Sequence, residues 1–453
     1  MGSGHLNKRE GFAKFTLSWY FPFMLLFAAM LIIHLVITPG TKDDTVYITH
    51  LANQSAWQYL SGDYHAWSSR QFIEMILIHV IHWKWLWLFC DVALFTLAPF
   101  LTSYIAGSHK DARVNWVVCL LALAYPFADV GTAGWVVTTV YYVWTTALCL
   151  VAIVPVVKIA RGQKLRVWEY PVYTFALLFA SNIEPLCAVL LCVYGVFLFL
   201  AIRKKQPVVY LITQFGLLVA MLVYMLSCPG NNLRHINEVA GQFPEFDAIP
   251  LWRKFEMGYS GTWYEYVMKP NLFFIAFCAL VAFAVFALCK KKWARGCALV
   301  PIGATVLLGT IAFSNAQMFP SLSLIVDSLT KFGTKLMWGS IKTWVPDIII
   351  TIVFACLLVS FFAVFEKTER ALLCAFALLM GFGSRMAMSL SPTIWVSGSR
   401  TFIYMYFSMI VCAALICREW YSRKGESPLC FANGATLFAI AAMSYLGTLF
   451  TIE

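Results

Sequence analysis

Two adjacent carboxylates, Asp43 and Asp44, follow the first apolar stretch of the chain within a few residues. Such a pair at the mouth of a helix bundle can act as a general base or hold a metal ion. Asp129 precedes Gly134 and Trp135, where it could equally cap the next helix. We predict that Asp44 is the base, Asp43 its neighbour and Asp129 its orienting partner. A solvated turn is the alternative, and a divalent metal at the pair is not expected.

Arginines form the second group of candidates: Arg70, Arg234, Arg385 and Arg400. Arg385 falls inside an apolar stretch, where a guanidinium costs about 2.5–3.5 kcal/mol on insertion scales. A lipid phosphate or diphosphate would offset that cost through bidentate, charge-assisted hydrogen bonds. We therefore predict that these four arginines bind the phosphate of a lipid. The alternative is that they reach out to the headgroups of ordinary lipids.

Two further acids stand at the edge of apolar stretches or within them. Glu184 lies where one stretch is broken before a proline, and irregular backbone at that depth is tolerated only against protein or a water-filled cavity. Asp91 lies inside the second stretch, where a carboxylate is either functional or held by structural hydrogen bonds. The histidines form no metal-binding pattern, and no nucleotide-binding motif opens a helix.

The elements that must position these residues are membrane helices. The chain has 453 residues, of which 61% are hydrophobic and 12% are charged, whereas a soluble domain carries about 25% charged residues. A soluble enzyme, a disordered protein and a secreted disulfide scaffold are therefore excluded. We predict one all-α domain, 1–453, a polytopic bundle of about 11–14 spans. The predicted spans are 16–38, 86–107, 114–128, 134–157, 170–183, 185–202, 207–227, 271–289, 297–315, 347–365, 371–390, 401–417 and 430–449.

The net charge of +11 follows membrane topology and does not indicate a nucleic-acid partner, because the cations cluster in short connections between spans. This asymmetry predicts a cytoplasmic N-terminus and three long outer segments, 39–85, 228–270 and 316–346. Membrane lipids are the expected surroundings. Within the first segment, 70–82 is predicted as a helix along the outer surface, and 322–338 has a similar pattern in the third.

Four short motifs in the first 235 residues occur together in one type of enzyme. They are Asp43-Asp44, Trp67-Ser68-Ser69-Arg70, Gly134-Trp135 through Tyr141-Tyr142-Val143-Trp144, and Pro229-Gly230-Asn231 with Arg234. They resemble bacterial GT-C-type membrane glycosyltransferases, in particular the O-antigen serotype-conversion glucosyltransferases and a related family of uncharacterised bacterial membrane proteins. The chain departs from that pattern where Tyr141 replaces an Asn and Ser69 replaces a Gly.

The resemblance implies an enzyme of the cytoplasmic membrane that works on its outer face, with inverting stereochemistry. The donor would be a sugar on a polyprenyl phosphate, and the acceptor a cell-envelope glycan or a lipid-linked saccharide. A carboxylate of the first outer loop would be catalytic, and Glu184, Trp135, Tyr142 and His235 would contact the acceptor or the sugar. Two alternatives remain open: a polysaccharide polymerase or ligase that uses lipid diphosphates, and a flippase for a lipid-linked saccharide.

Overall fold

The computed structural model describes residues 18–52, 54–313, 328–330, 333–334, 340–425 and 427–452. These residues are almost entirely helical, and two short strands, β1 (Leu329–Thr330) and β2 (Gly333–Thr334), pair antiparallel. The helices before residue 210 are α1 (Phe21–Val36), α2 (Asp43–Leu51), α3 (Ala56–Ala66), α4 (Gln71–Val80), α5 (Lys84–Ala106), α6 (Ala112–Ala124), α7 (Trp135–Ala160), α8 (Glu169–Ser181), α9 (Glu184–Arg203) and α10 (Val209–Leu226). Those after it are α11 (Pro229–Gln242), α12 (Leu251–Met268), α13 (Leu272–Leu288), α14 (Lys292–Phe313), α15 (Val345–Val364), α16 (Thr368–Met388), α17 (Ile403–Lys424) and α18 (Pro428–Thr451).

Within the described ranges, nine helices are long and apolar enough to cross a membrane, so the chain is a multi-pass membrane protein. Two bent helix pairs raise the number to at most eleven. All thirteen predicted spans coincide with helices, but four of these helices are shorter than the roughly 20 residues that a span needs. Helices α6, with 13 residues, and α13, with 17, belong to the two bent pairs. Helix α1 has 16 residues and α8 has 13, and neither belongs to such a pair. The predicted thirteen therefore exceeds the number of full-length helices.

The prediction for the third long segment is partly wrong. The structure has paired strands at Leu329–Thr330 and Gly333–Thr334, where a helix was expected across 322–338. Gly and Thr are weak helix formers, which explains why the apolar spacing alone was misleading. Most of 316–346, and the N-terminal residues used for the topology, lie outside the described ranges. The predicted helix at 70–82 is confirmed as α4, Gln71–Val80.

The bundle has two ends that differ in character. We call the end that carries α2, α3, α4 and α11 the long-loop end, and the opposite end the short-loop end. At the short-loop end, Arg161 donates hydrogen bonds to the carbonyls of Tyr104 and Ile105, and Arg418 donates to that of Ala106. These carbonyls end α5 and have no partners within the helix. The basic connections therefore stabilise the negative end of a helix dipole.

A buried polar network joins three helices in the core. His34 of α1 and Asp91 of α5 are both fully buried, and Nε2 of His34 lies 2.7 Å from Oδ2 of Asp91. The indole N–H of Trp144 in α7 donates to Oδ1 of Asp91 at 2.7 Å. Both carboxylate oxygens are thus used, as buried polar groups require. Asp91 has the hydrogen-bonded structural environment that was one of its two sequence interpretations.

The same helices shape the middle of α7. A six-residue π-helical segment, Thr139–Trp144, interrupts its α-helical turns. Indole hydrogen bonds fix both of its ends to α5, because Trp87 donates to Thr139 at 2.8 Å and Trp144 donates to Asp91. Such segments often mark functional sites. Here the segment contains Tyr141 and Tyr142, which face the site described next.

Candidate active site at the long-loop end

Asp44 anchors the first loop to the beginning of α7. Its side chain is fully buried. Oδ1 accepts a hydrogen bond from the backbone N–H of Val137 at 2.9 Å. Oδ2 accepts from the N–H groups of Gly40 and Trp135 at 3.1 Å and of Val136 at 3.2 Å. The carboxylate thus satisfies donors that a helix N-terminus leaves unpaired.

This geometry gives Asp44 a structural task. Gly134, just before α7, has φ of +108°, and a Cβ there would lie 2.8 Å from Oδ1 of Asp44. Only glycine fits such a close approach without strain. The carboxylate of Asp44 is fully buried and accepts four backbone hydrogen bonds, so it is not presented at the surface to a substrate. The catalytic role of Asp44 stays a prediction, and the geometry favours its neighbour for that role.

Asp43 and Asp129 lie at the surface of the same end. Asp43 is exposed, and partial burial raises its pKa, while the charge of Arg400 opposes the rise. Asp129 is partly buried beside Ser399, and Glu265 is its nearest charged neighbour. The short helix that holds Asp129, Phe127–Ala133, packs against the one that holds Arg400, Ser399–Phe402. The structure therefore brings two of the three predicted carboxylates and one predicted arginine to one surface.

Two other predicted arginines converge beside a glutamate. Nη2 of Arg70 donates to Oε2 of Glu184 at 2.9 Å, and its guanidinium lies 5.5 Å from the centre of the Tyr141 ring. The guanidinium of Arg234 lies 5.6 Å from the centre of the Trp67 ring. Arg70 and Glu184 are both among the charges that act on Arg234. Glu184 thus pairs directly with Arg70 and acts on Arg234 at longer range. We call these three residues the arginine pair and its glutamate.

An asparagine explains how α4 is held near this pair. The side-chain oxygen of Asn182, which follows α8, accepts hydrogen bonds from the backbone N–H groups of Phe72 at 2.9 Å and Ile73 at 3.3 Å. Its nitrogen donates to the carbonyl of Ser69 at 3.0 Å. Asn182 therefore caps the N-terminus of α4 from another helix. The cap fixes Arg70, the residue that directly precedes α4.

A glycine lets α11 approach the same loop. A Cβ at Gly230 would lie 2.5 Å from the backbone nitrogen of Trp67 and 2.7 Å from the carbonyl oxygen of Tyr64. The next residue, Asn231, donates from its side chain to Oγ of Ser69 at 3.3 Å. The Pro-Gly-Asn motif and the Trp-Ser-Ser-Arg motif thus meet through backbone contacts. This contact brings Arg234 close to Arg70.

The electrostatics of the pair favour an anion. Burial and the nearby charge of Arg70 lower the pKa of Arg234, and the weaker effect of Glu184 opposes them. For Arg70, burial lowers the pKa, but Glu184, Tyr141 and Tyr142 together outweigh burial and raise it. Nε of Arg70 is buried without a hydrogen-bond partner among the described residues. Arg234 forms no ion pair in the described part of the chain, because Asp63, Glu184 and Glu238 act on it only at longer range. A phosphate would give it a direct partner.

Sequence reasoning missed a buried acid one helical turn from Arg70. Oε1 of Glu74 accepts hydrogen bonds from the hydroxyl groups of Tyr47, at 2.8 Å, and Tyr141. Burial, assisted by the charge of Asp63, raises the pKa of Glu74 to about 7. Burial also raises the pKa of Asp63 to about 6. The available signal was the spacing of Arg70 and Glu74, because residues four apart on a helix are neighbours.

Arg385, in the last turn of α16, belongs to a second group of residues near Tyr142. Its guanidinium donates to Oγ1 of Thr401 and lies 3.7 Å from the centre of the Phe402 ring. Tyr142 is among the groups that act electrostatically on both Arg385 and Arg70. The predicted arginines therefore occupy two neighbouring groups with Tyr142 between them.

Trp135 and His235, which were predicted to contact the acceptor or the sugar, have different surroundings. The ring of Trp135 is buried and stacks on Phe127, with ring centres 5.9 Å apart. It thus supports the loop. His235 pairs with Asp247 at 2.9 Å and packs against Phe246. Among the described residues, no side-chain hydrogen bond or ion pair joins His235 to Arg70, Arg234 or Glu184.

An apolar groove extends from this region along the bundle. It has an empty volume of about 1150 Å³ and lies between α7, α9, α16 and α17. Leu186 and Tyr404 line it near the long-loop end, and Arg161 and Ile105 line its far end. Leu186 lies two residues after Glu184. The stretch of α9 from Leu186 to Phe197 that lines the groove is about 16 Å long, roughly half of a bilayer core.

Within the described ranges, no group of three or more His, Cys, Asp or Glu side chains could hold a metal ion. No family model, curated protein or solved structure matches the chain.

Proposed function

We propose that the protein is a GT-C-type glycosyltransferase of the cytoplasmic membrane. It would move a sugar from a polyprenyl-phosphate donor to a cell-envelope glycan or lipid-linked acceptor on the outer face. One observation carries the proposal: the arginine pair and its glutamate lie beside the end of an apolar groove that is nearer the long-loop end of the bundle. A lipid with a phosphate head and a long apolar tail combines the two chemistries that this arrangement accommodates.

The phosphate would bind to Arg70 and Arg234. Planar guanidinium groups bind phosphate oxygens in pairs, and each charge-assisted hydrogen bond contributes about 1.5–3 kcal/mol. Glu184 holds Arg70 in place, and Nε of Arg70 has no protein partner in the described part of the chain. In transfer, the same positive charge would stabilise the phosphate as it leaves the sugar.

The tail of the donor would lie in the groove. Its lining is almost wholly apolar, and burying apolar surface contributes about 25 cal/mol per Å². The groove begins at Leu186, close to Glu184, so a lipid bound there would have its phosphate near the arginine pair. This arrangement favours a lipid donor over a soluble nucleotide sugar.

The proton of the acceptor hydroxyl requires a base. We assign this role to Asp43, with Asp129 on the same surface, because Asp43 is exposed whereas Asp44 is fully buried and accepts four backbone hydrogen bonds. The acceptor oxygen would bond to the anomeric carbon while the bond from that carbon to the phosphate oxygen breaks. The hydroxyl proton would pass to the carboxylate of Asp43, and the bonding electrons would leave with the phosphate.

Transfer is tested with purified protein, polyprenyl phosphate carrying a radiolabelled sugar, and cell-envelope acceptors. We expect label in the acceptor fraction with the wild-type chain. The double variant Arg70→Gln, Arg234→Gln should give none. Equal transfer by that variant would contradict the assignment of the phosphate site.

A flippase is the second candidate, because the groove reaches Arg161 at the opposite end. A lipid phosphate could then be held at either end of the bundle. Proteoliposomes that contain a fluorescent polyprenyl-phosphate sugar separate the two functions. Movement of the lipid between leaflets, with no glycosidic product when acceptor is present, would support the flippase instead of the transferase.

A further inference from the structure

Three polar atoms are buried without a hydrogen-bond partner among the described residues near Arg385. They are the hydroxyl oxygens of Tyr125 and Tyr266 and Nε of Arg385. The three residues are 1%, 0% and 4% exposed. Leaving a buried donor or acceptor unpaired is costly, and native proteins contain few such groups. Three such groups close together offer hydrogen-bonding capacity that the described residues do not use.

Shared aromatic neighbours show that the three atoms belong to one cluster. The ring of Tyr406 lies 5.1 Å from that of Tyr125 and 5.2 Å from that of Tyr266, measured between centres. Phe402 lies 5.7 Å from Tyr266 and directly faces the guanidinium of Arg385. The hydroxyl of Tyr406 is different, because it accepts a hydrogen bond from Asn271 at 2.7 Å.

Partly exposed charges lie next to these buried groups. The carboxylates of Asp129 and Glu265 are the nearest acidic neighbours of Tyr125 and Tyr266, respectively. Glu265 pairs with Lys269 at 2.7 Å. The two partly exposed carboxylates therefore lie between the solvent and the buried, unpaired hydroxyl groups.

The charges of the whole region balance. Four carboxylates stand against four cations: Asp43, Asp44, Asp129 and Glu265 against Lys42, Lys269, Arg385 and Arg400. The arginine pair, in contrast, includes Arg234, which has no ion pair among the described residues. The second region therefore has no preference for an anion, and its unused capacity consists of hydrogen-bonding groups beside aromatic rings.

We propose that the cluster of Tyr125, Tyr266 and Arg385 binds an uncharged sugar unit of the acceptor. A neutral hexose offers several hydroxyl groups, each of which both donates and accepts, and apolar faces that pack on rings. This inference rests on the proposed transfer and names the chemistry of its acceptor. It also reassigns Arg385, because a guanidinium beside Glu265 in a charge-balanced region is better suited to a sugar than to a phosphate.

The test uses saturation-transfer NMR with methyl glucoside, methyl galactoside and the charged analogues methyl glucuronide and methyl glucosaminide. The wild-type chain should bind neutral glycosides more tightly than either charged analogue. The double variant Tyr125→Phe, Tyr266→Phe should bind the neutral glycosides about tenfold more weakly. Its melting temperature should stay equal or rise, because each change removes an oxygen that has no partner.

Stability separates binding from a structural role. The matched variant Tyr406→Phe loses a hydroxyl that has a partner, so it should melt at a lower temperature. Neutral glycosides that bind equally to the wild-type and double-variant chains would overturn the proposal, as would preferential binding of a charged analogue. Binding of polyprenyl phosphate, measured in parallel, should be unchanged in the double variant and about 10–150-fold weaker in Arg70→Gln. Failure of that second measurement would refute the phosphate site and leave the sugar result standing.

Discussion

The 2.9 Å hydrogen bond from Arg70 to Glu184 joins two residues that are 114 positions apart in the chain. It links the loop before α4 to the beginning of α9. Because Glu184 pairs directly with Arg70 alone, the second cation, Arg234, contributes a charge that no ion pair cancels in the described part of the chain. A positive charge at the edge of a membrane groove is the feature from which the proposed donor site follows.

Arg70→Gln should weaken the binding of polyprenyl phosphate by about 10–150-fold, which corresponds to the loss of one charge-assisted bond of about 1.5–3 kcal/mol. Fluorescence titration with a labelled polyprenyl phosphate measures it. The control is Arg113→Gln, which removes a cation paired with Asp111 at 2.8 Å at the short-loop end. An exposed pair of this kind contributes at most about 1 kcal/mol to stability, and donor affinity should be unchanged. Equal losses in both variants would attribute the effect to net charge.

Asp43→Asn and Asp44→Asn should fail in different ways. Asn at 44 has one acceptor oxygen and would place an NH₂ group against backbone N–H donors. The free energy of unfolding of this variant should therefore be about 2–3 kcal/mol lower than that of the wild-type chain. Thermal melting in detergent detects the difference. Asn at 43 keeps the fold and should reduce turnover by about 10²–10⁴-fold, because the base is lost. Normal turnover in Asp43→Asn would remove this carboxylate from the mechanism.

The stability of the loop around α4 should fall as pH rises. Burial raises the pKa of Glu74 from 4.5 to about 7. Between these values the folded loop keeps a proton that the opened loop releases, so the free energy of opening decreases by on the order of 3 kcal/mol. Asp63, with a pKa of about 6, contributes to the lower part of this range.

Hydrogen exchange in α4, corrected for the intrinsic rate, measures this free energy of opening at each pH. Glu74→Gln keeps an oxygen for Tyr47 and Tyr141 but cannot ionise. The variant should therefore lose the decline between about pH 6 and pH 7. A decline of unchanged size would show that another group titrates there.

Hydropathy predicts the helices well because a membrane span is a local property of the sequence. All thirteen predicted stretches are helical, and the break between α8 and α9 falls at residues 182–183 as the sequence indicated. Whether a helix is long enough or bent depends on its ends. The 80° bend between α12 and α13 involves Lys269, Pro270 and Asn271. The predicted span 271–289 begins at this polar break, but hydropathy does not give the angle between the two helices.

The roles of single residues were harder to predict, because they depend on partners far away in the sequence. Asp44 looked like a free carboxylate, but three of its four backbone donors lie 91 to 93 residues further on. Arg70 and Arg234 were identified as phosphate ligands from residue type, yet their proximity requires the contact of Gly230 with the loop before α4. Glu74 was overlooked because it lies in an apolar helix. Residue types indicated the chemistry, whereas the fold determines which groups remain free for a ligand.

Gly230→Ala should separate α11 from the loop that holds Arg70. The added Cβ would lie 2.5 Å from the Trp67 nitrogen and 2.7 Å from the Tyr64 oxygen. Both are backbone atoms that cannot rotate away, so the helix must move, and Arg234 with it. Donor affinity should fall about as far as in Arg234→Gln, since both variants lose the same charge from the site.

Gly241→Ala is the matched control, because it lies in the same helix and its Cβ would meet no atom within 4 Å. Alanine is a better helix former than glycine by about 1 kcal/mol, so the control should be as stable as the wild-type chain or more so. Full donor affinity in Gly230→Ala would show that the approach of α11 does not form the phosphate site.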